Sequence, residues 1–184
     1  MTSPAIINDM KNLIAMVFFT MVYPARPFAQ PDTKIIAIRQ IVTAINTQSG
    51  YKVKTLGNDY FEDKYGETPD NGIELKGCYQ NGALKKMVYS VGLSNCMKTF
   101  EFYLSGATLI FVFEKEEDYP VKPNGYELDY NKLVAAFEGR YYLDDGKIFQ
   151  TKLKGTQRNV GVAPADFLST FNDLKKDLSK YKGK

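Results

Sequence analysis

The sequence predicts an α+β domain, in which an antiparallel β-meander of about five to seven strands packs against an N-terminal and a C-terminal helix. Apolar residues recur with helical spacing at residues 33–48 and again at residues 167–181. Between them, residues 73–154 alternate with a period of two and are divided by regular turn signals. The order helix, meander, helix follows from these two changes of period.

The N-terminus predicts a signal peptide over residues 1–29 and a single α+β domain over residues 30–184. Residues 13–23 form an apolar run, interrupted only by Thr20, of about 11 residues, whereas a bilayer-spanning helix needs about 20. Lys11 precedes this run, and small residues follow it, so cleavage is expected after Ala29 or, alternatively, after Ala25. A buried helix or a membrane anchor is the competing interpretation, but Pro24 and the residues after it oppose both.

Two amphipathic helices are expected at the ends of this domain. Residues 33–48 carry an apolar stripe, and Gly50 is a suitable stop. Residues 51–56 then alternate as a short strand, and residues 57–72 form a long loop with room for one helical turn at 59–64. Pro164 opens the second helix, whose stripe runs through Phe167, Phe171, Leu174, Leu178 and Tyr181. Both helices are expected on one face of the sheet.

Three hairpins are predicted between the helices. The strongest signal is Asn81-Gly82 between residues 73–80 and 83–91. The second joins 99–104 to 109–114, and the third joins 140–143 to 147–154. A turn centred on residues 106–107 pairs Phe102 with Phe111 and Phe100 with Phe113, which places four Phe and two Leu on one face. The wholly apolar run 109–113 predicts an interior strand.

Composition excludes several chemistries. The chain has no His, which removes Ser-His-Asp and Cys-His catalysis and His-based metal sites. Without residues 1–29 the net charge falls from +3 to +2, so the sequence demands neither nucleic acid nor an anionic membrane as a partner. We therefore expect no cofactor, no metal and no catalytic residue. Cys78 and Cys96 permit a disulfide in an oxidising compartment, but the hairpin register favours two free thiols.

Charged and aromatic groups supply the remaining candidate sites. Glu114, Glu116, Glu117 and Asp118 form the densest acidic cluster, which is interpreted mainly as solvated charge at a strand end, with calcium or a basic partner as alternatives. Tyr119, Tyr126, Tyr130, Tyr141 and Tyr142 are the tyrosines hardest to place in a core. The binding-site candidate is Arg140 beside Tyr141 and Tyr142, together with Glu114.

One part of the chain resembles a group of small secreted bacterial proteins of unknown function. The resemblance covers residues 73–154 and rests on three features: the turn Gly92-Leu93-Ser94, the apolar strand 109–113 before Glu117-Asp118-Tyr119-Pro120, and the hairpin Gly139-Arg140-Tyr141-Tyr142. It implies a fold and an export route but no activity. The hairpins also resemble, more loosely, the Tyr-x-x-Gly-x-Leu units of MORN-like proteins.

The functional expectation is an exported bacterial protein, periplasmic or secreted, that is not an enzyme. It would bind an envelope or extracellular macromolecule through the exposed sheet face or the hairpin loops, without a membrane span once the signal is cleaved. The alternatives are a secreted inhibitor or immunity-type protein and a glycan hydrolase based on paired carboxylates.

Overall fold

The computed structural model describes residues 31–159 and 161–181, which contain a seven-stranded antiparallel sheet and three α-helices. The α+β class and the antiparallel meander are therefore confirmed, whereas the predicted signal peptide falls outside the described residues. In chain order the elements are α1 (Pro31–Thr47), β1 (Lys52–Leu56), α2 (Asn58–Tyr65), β2 (Ile73–Gln80), β3 (Ala83–Gly92), β4 (Cys96–Ser105), β5 (Thr108–Asp118), β6 (Val134–Asp144), β7 (Lys147–Gly155) and α3 (Phe167–Lys180). A single 3-10 turn, Pro164–Asp166, leads into α3.

Each strand pairs with the next along the chain, from β1 to β7. The three predicted hairpins are confirmed, and their turns contain the residues that positive φ angles require. Asn81 and Gly82 have φ angles of 50° and 77°, and Asp145 and Gly146 have angles of 49° and 74°. The possible helical turn after β1 is a helix of eight residues, α2, which ends at Gly66 in the left-handed region.

The register predicted for the second hairpin is wrong beyond its first pair. Leu104 pairs with Leu109 as expected, but a bulge then shifts the ladder, so that Phe102 faces Val112 and Tyr103 faces Phe111. Because side chains alternate along a strand, a one-residue shift moves Phe111 to the opposite face of the sheet. Phe100 consequently pairs with Glu114 rather than with an aromatic residue.

Helix α1 lies against one face of the sheet, and α3 lies against the other. The expectation that the N-terminal and C-terminal helices share one face is therefore wrong. On the α3 face, Phe100 and Phe102 form a core with α2 and α3, including Phe61, Phe171 and Leu178. On the α1 face, three aromatic residues of β4, β5 and β6 pack with three isoleucines of α1: Tyr103, Phe111, Tyr142, Ile35, Ile38 and Ile45. Interior strands with apolar residues on both sides need a cover on both sides.

None of the helices within the described residues combines the length and the apolar character that crossing a bilayer requires.

Candidate functional site

The four predicted binding residues are divided between the two faces of the sheet. Neighbouring residues of a strand point to opposite sides. Arg140 and Tyr142 therefore line a groove on the α1 face, whereas Tyr141 joins the core on the α3 face. Glu114 also lies on the α3 face, where it accepts a hydrogen bond of 3.0 Å from the Tyr141 hydroxyl. These residues cannot form one site.

The groove on the α1 face, called here the α1 groove, has a volume of about 430 Å³. It lies beside α1, where the helix and the middle of β4, β5 and β6 meet. Its lining consists of four residues of α1 and six of the sheet: Arg39, Val42, Thr43, Asn46, Glu101, Tyr103, Phe111, Phe113, Arg140 and Tyr142. The helix supplies polar groups to one side of the groove, and the strands supply aromatic rings to the other.

A hydrogen-bonded network neutralises the carboxylate of the α1 groove. Glu101 lies 3.0 Å from the Lys86 ammonium and also accepts a hydrogen bond from the Tyr103 hydroxyl. The Tyr103 hydroxyl oxygen also lies 3.0 Å from Oδ1 of Asn46, and this Oδ1 accepts a hydrogen bond of 3.2 Å from Lys86. Burial, together with the neighbouring Glu101 carboxylate, raises the pKa of Tyr103 well above its usual range. The tyrosine is thus a fixed neutral donor.

Two guanidinium groups lie on aromatic rings in the same groove. The Cζ atom of Arg39 is 5.9 Å from the centre of the Tyr142 ring, and its Nε donates a bond of 3.1 Å to the Tyr142 hydroxyl. The Cζ atom of Arg140 is 5.2 Å from the centre of the Phe113 ring, and its Nη2 is 2.9 Å from a Glu138 oxygen. Cation–π contacts of this kind restrict the position of each guanidinium without using all of its hydrogen-bond donors.

The α3 face contains a second polar group, called here the buried charge centre. Lys98 is 3 % exposed, and Glu114 and Glu116 are fully buried. The Lys98 ammonium is 3.4 Å from Glu114 and 3.3 Å from Glu116. The interpretation of these two glutamates as solvated charge at a strand end is therefore wrong. Strand β5 continues beyond them to Asp118, and the segment that follows β7 covers both side chains.

Residues 156–159 form that cover and bind both carboxylates. The Gln157 side chain donates a bond of 2.8 Å to Glu114, and the Asn159 side chain donates one of 3.1 Å to Glu116. The backbone N–H groups of Arg158 and Asn159 also donate to Glu116, at 3.3 and 3.4 Å. Lys98 in turn donates to the Asn159 carbonyl oxygen. The hydrogen bonds of the buried carboxylates thus fix the path of this segment.

The pKa values at the buried charge centre follow from its burial. Removal from water raises the pKa of Glu114, and the hydrogen bond from Tyr141 and the charge of Lys98 oppose this rise. Burial and the adjacent Glu114 carboxylate raise the pKa of Tyr141 above its usual range. The available hydrogen bonds of Glu114 are directed at protein groups, which indicates a structural role for this residue.

Residues 119–133, called here the tyrosine loop, connect β5 to β6 and expose an unusual amount of apolar surface. Ten large apolar side chains are exposed within the described residues, and half of them lie at residues 121–134. They are Val121, Tyr126, Tyr130, Leu133 and Val134, with Tyr126 95 % exposed. Of the five tyrosines that were hard to place, Tyr119, Tyr141 and Tyr142 are buried and only Tyr126 and Tyr130 are exposed.

The tyrosine loop is nevertheless held by several contacts at its base and along its length. The Tyr119 and Tyr130 rings are 4.9 Å apart, and the Tyr130 hydroxyl donates a bond of 3.1 Å to the Ser94 carbonyl oxygen. An antiparallel bridge joins Val121 to Leu128. The four charged side chains of the tyrosine loop are paired with one another. Lys122 pairs with Glu127 at 2.9 Å, and Lys132 pairs with Asp129 at 3.4 Å.

Both cysteines are free thiols, in agreement with the alternative that the hairpin register favoured. Cys96 is fully buried, and its sulfur accepts a hydrogen bond from the Asn159 side chain at 3.2 Å. Burial raises the pKa of both thiols.

Sequence reasoning missed Lys98, Gln157 and Asn159. Lys98 could have been found, because on β4 it alternates with Cys96, Phe100 and Phe102 and so belongs to an otherwise apolar face. Gln157 and Asn159 lie in a segment without periodicity, and only the fold brings them to β5.

Comparison of the chain with models of known protein families, with curated proteins and with solved structures gives no match. The resemblance to small secreted bacterial proteins and to MORN-like hairpins therefore remains a prediction.

Proposed function

We propose that this chain is an exported, non-enzymatic binding domain of a bacterial envelope or its surroundings, and that the tyrosine loop contacts its macromolecular partner. The observation that carries the proposal is the concentration of exposed apolar side chains at residues 121–134, with Tyr126 95 % exposed. Single exposed apolar residues are normal on protein surfaces, but contiguous apolar patches commonly mark interaction sites.

The contacts of the loop favour binding over a chance exposure. The ring contact of Tyr119 with Tyr130 and the bond from Tyr130 to Ser94 order the loop before any partner arrives. An ordered loop loses little conformational entropy on binding, and a tyrosine side chain has few rotatable bonds. Because its charges are paired internally, the loop suits a partner surface that is apolar and electrically neutral at the contact.

The contacts of the neighbouring carboxylates Glu114 and Glu116 support a function without catalysis. A carboxylate-based hydrolase needs two carboxyl groups that face a substrate. Glu114 and Glu116 instead face Lys98, Tyr141 and Gln157 inside the α3 face. The hydrolase alternative would therefore have to use other residues.

A secreted inhibitor or immunity-type protein is the second candidate function. The same loop favours it, since an internally ordered segment with one fully exposed aromatic side chain, that of Tyr126, can enter a cleft of an enzyme. In that case the partner would be an enzyme, and binding would block its activity. Both candidate functions use the tyrosine loop as the contact surface. They differ in whether the partner is an enzyme.

The test is affinity enrichment from a bacterial envelope extract with the purified chain and two variants. We expect the chain to enrich a defined protein, and we expect Tyr126→Ser to lose it. Burial of one tyrosine ring contributes about 2 kcal/mol, so its loss should weaken binding by more than tenfold. The matched control is Tyr65→Ser, because Tyr65 is 61 % exposed on α2 and outside the loop.

Equal enrichment by the chain and by Tyr126→Ser would contradict the role of the loop. Failure of every form to enrich a protein would contradict the binding function itself. Export is tested separately by cell fractionation and by the intact mass of the protein from the envelope fraction. We expect a chain that begins at Gln30 or at Arg26, and a cytosolic protein that retains Met1 would contradict export.

A further inference from the structure

We propose that the α1 groove is a binding site for a carboxylate group that is joined to an apolar body, such as the terminal carboxylate of an apolar peptide or a small aromatic acid. This site is distinct from the tyrosine loop, and the inference does not depend on the function proposed for that loop. Three features of the groove carry it: unused guanidinium donors, a neutralised internal carboxylate, and an aromatic wall.

The two arginines retain hydrogen-bond donors. A guanidinium has five N–H groups. Arg39 uses Nε for the Tyr142 hydroxyl, and Arg140 uses Nη2 for Glu138. Within the described residues Arg39 has no carboxylate partner, and its side chain lines the groove. Planar guanidinium donors match the two oxygens of a carboxylate.

The internal carboxylate of the groove does not compete for these donors. Glu101 is already paired with Lys86 at 3.0 Å and accepts from Tyr103. The charged side chains that line the groove are Arg39, Arg140 and Glu101. Lys86 compensates Glu101 and Glu138 compensates Arg140, which leaves the charge of Arg39 uncompensated among the described residues. A monoanion therefore enters a site with an excess of positive charge.

The apolar wall determines the rest of the ligand. Val42, Phe111 and Phe113 line the groove beside the arginines, and the volume of about 430 Å³ is within the usual range for small ligands. Phosphate fits less well, because the apolar wall offers no donors for its remaining oxygens.

The experiment is a calorimetric titration of the purified full-length chain with four probes. They are the peptide acetyl-Gly-Gly-Phe with a free carboxylate, the same peptide as its C-terminal amide, 3-phenylpropionate, and inorganic phosphate. We expect saturable binding of at least one carboxylate and a loss of at least about tenfold for the amide. Binding of the peptide alone would assign the ligand to a protein terminus, and binding of phenylpropionate alone would assign it to a free acid.

Variants locate the site. We expect Arg140→Gln and Arg39→Gln each to weaken carboxylate binding by about tenfold or more, because each removes a charged donor. The matched control is Lys176→Gln, which removes an exposed cation of α3 on the opposite face of the sheet and is expected to leave binding unchanged. Circular dichroism spectra of all variants show whether the fold is retained.

Several outcomes would overturn the proposal. They are an absence of binding by both carboxylates, equal binding of the acid and the amide, tighter binding of phosphate than of either acid, and an equal loss in Lys176→Gln. None of these outcomes would affect the enrichment experiment with Tyr126→Ser, so the two proposals fail separately.

Discussion

The substitution Lys98→Met tests whether the buried charge centre holds the α3 face together. Methionine has nearly the same length as lysine and retains the apolar contact with Phe100, whose ring centre lies 6.0 Å from the ammonium. The change removes the positive charge that lies 3.4 Å from Glu114 and 3.3 Å from Glu116. Two fully buried carboxylates would then face each other without a cation, and the bond to the Asn159 carbonyl would be lost.

The expected loss follows from the burial of all three groups. Removal of one partner from a buried ion pair costs about 3–5 kcal/mol, because it leaves an uncompensated buried charge. For a domain of this size 1 kcal/mol lowers the melting temperature by roughly 2–4 °C. Lys98→Met should therefore lower it by roughly 10 °C at neutral pH. The loss should decrease as the pH is lowered towards 5, because burial raises the pKa of Glu114 and protonation of this residue removes part of the repulsion.

The assay is thermal unfolding together with urea unfolding, both followed by circular dichroism at pH 7 and pH 5, with two reference variants. Lys115→Met removes a lysine that is 33 % exposed and pairs with Glu117 on the α1 face, so it should change stability by less than about 1 kcal/mol. The triple variant Lys98→Met with Glu114→Gln and Glu116→Gln should recover much of the loss. A loss in Lys98→Met no larger than that in Lys115→Met would refute the reasoning.

Three further predictions concern single residues. Glu114→Gln should remove a pH dependence of the free energy of unfolding. Burial raises the folded-state pKa of Glu114 above 4.5, so the parent chain should lose stability relative to the variant as the pH rises from 4.5 through that pKa. Urea midpoints across this pH range measure the difference. Gly155→Ala should lower the free energy of unfolding by about 1–3 kcal/mol, because φ is +84° and a methyl group would collide with the Ala136 carbonyl oxygen; an unchanged urea midpoint would contradict this. Thiol titration should count both cysteines in urea but leave Cys96 unreacted in the folded protein, and a count of none in urea would reveal a disulfide.

Local signals in the sequence were sufficient to predict where the hairpins and their turns lie. Asn81-Gly82 permits few conformations other than a tight hairpin turn, and the strands beside it follow from alternation. Pro164 and the stripe from Phe167 to Leu178 likewise predict a helix that begins and ends close to α3. These features depend on neighbouring residues only, and for that reason they could be read from the sequence.

The faces of the sheet depended on information that the sequence does not display. The bulge beside Tyr103 and Leu104 leaves Ile110 without a partner in the ladder and moves Phe111 to the α1 face. A register without the bulge also satisfies the alternation of apolar residues, so the pattern alone could not exclude it. The division of Arg140 from Tyr141, by contrast, does not depend on the bulge. Neighbouring residues of a strand lie on opposite faces, so this division could have been predicted from the strand assignment alone.

The buried charge centre and the tyrosine loop are physically connected, which bears on how the proposed binding surface is maintained. Glu114 and Glu116 are fixed by Lys98 and by residues 156–159, and the Arg158 guanidinium is 2.6 Å from Asp118, the last residue of β5. The tyrosine loop begins at the next residue, where the Tyr119 N–H donates to the Asn95 carbonyl oxygen at 3.1 Å. Because the end of β5 is held on the α3 face by these charges, the base of the loop is fixed although its tip is exposed. Polar groups inside a core are costly, and here they fix the start of a surface segment whose own contacts order the rest of it.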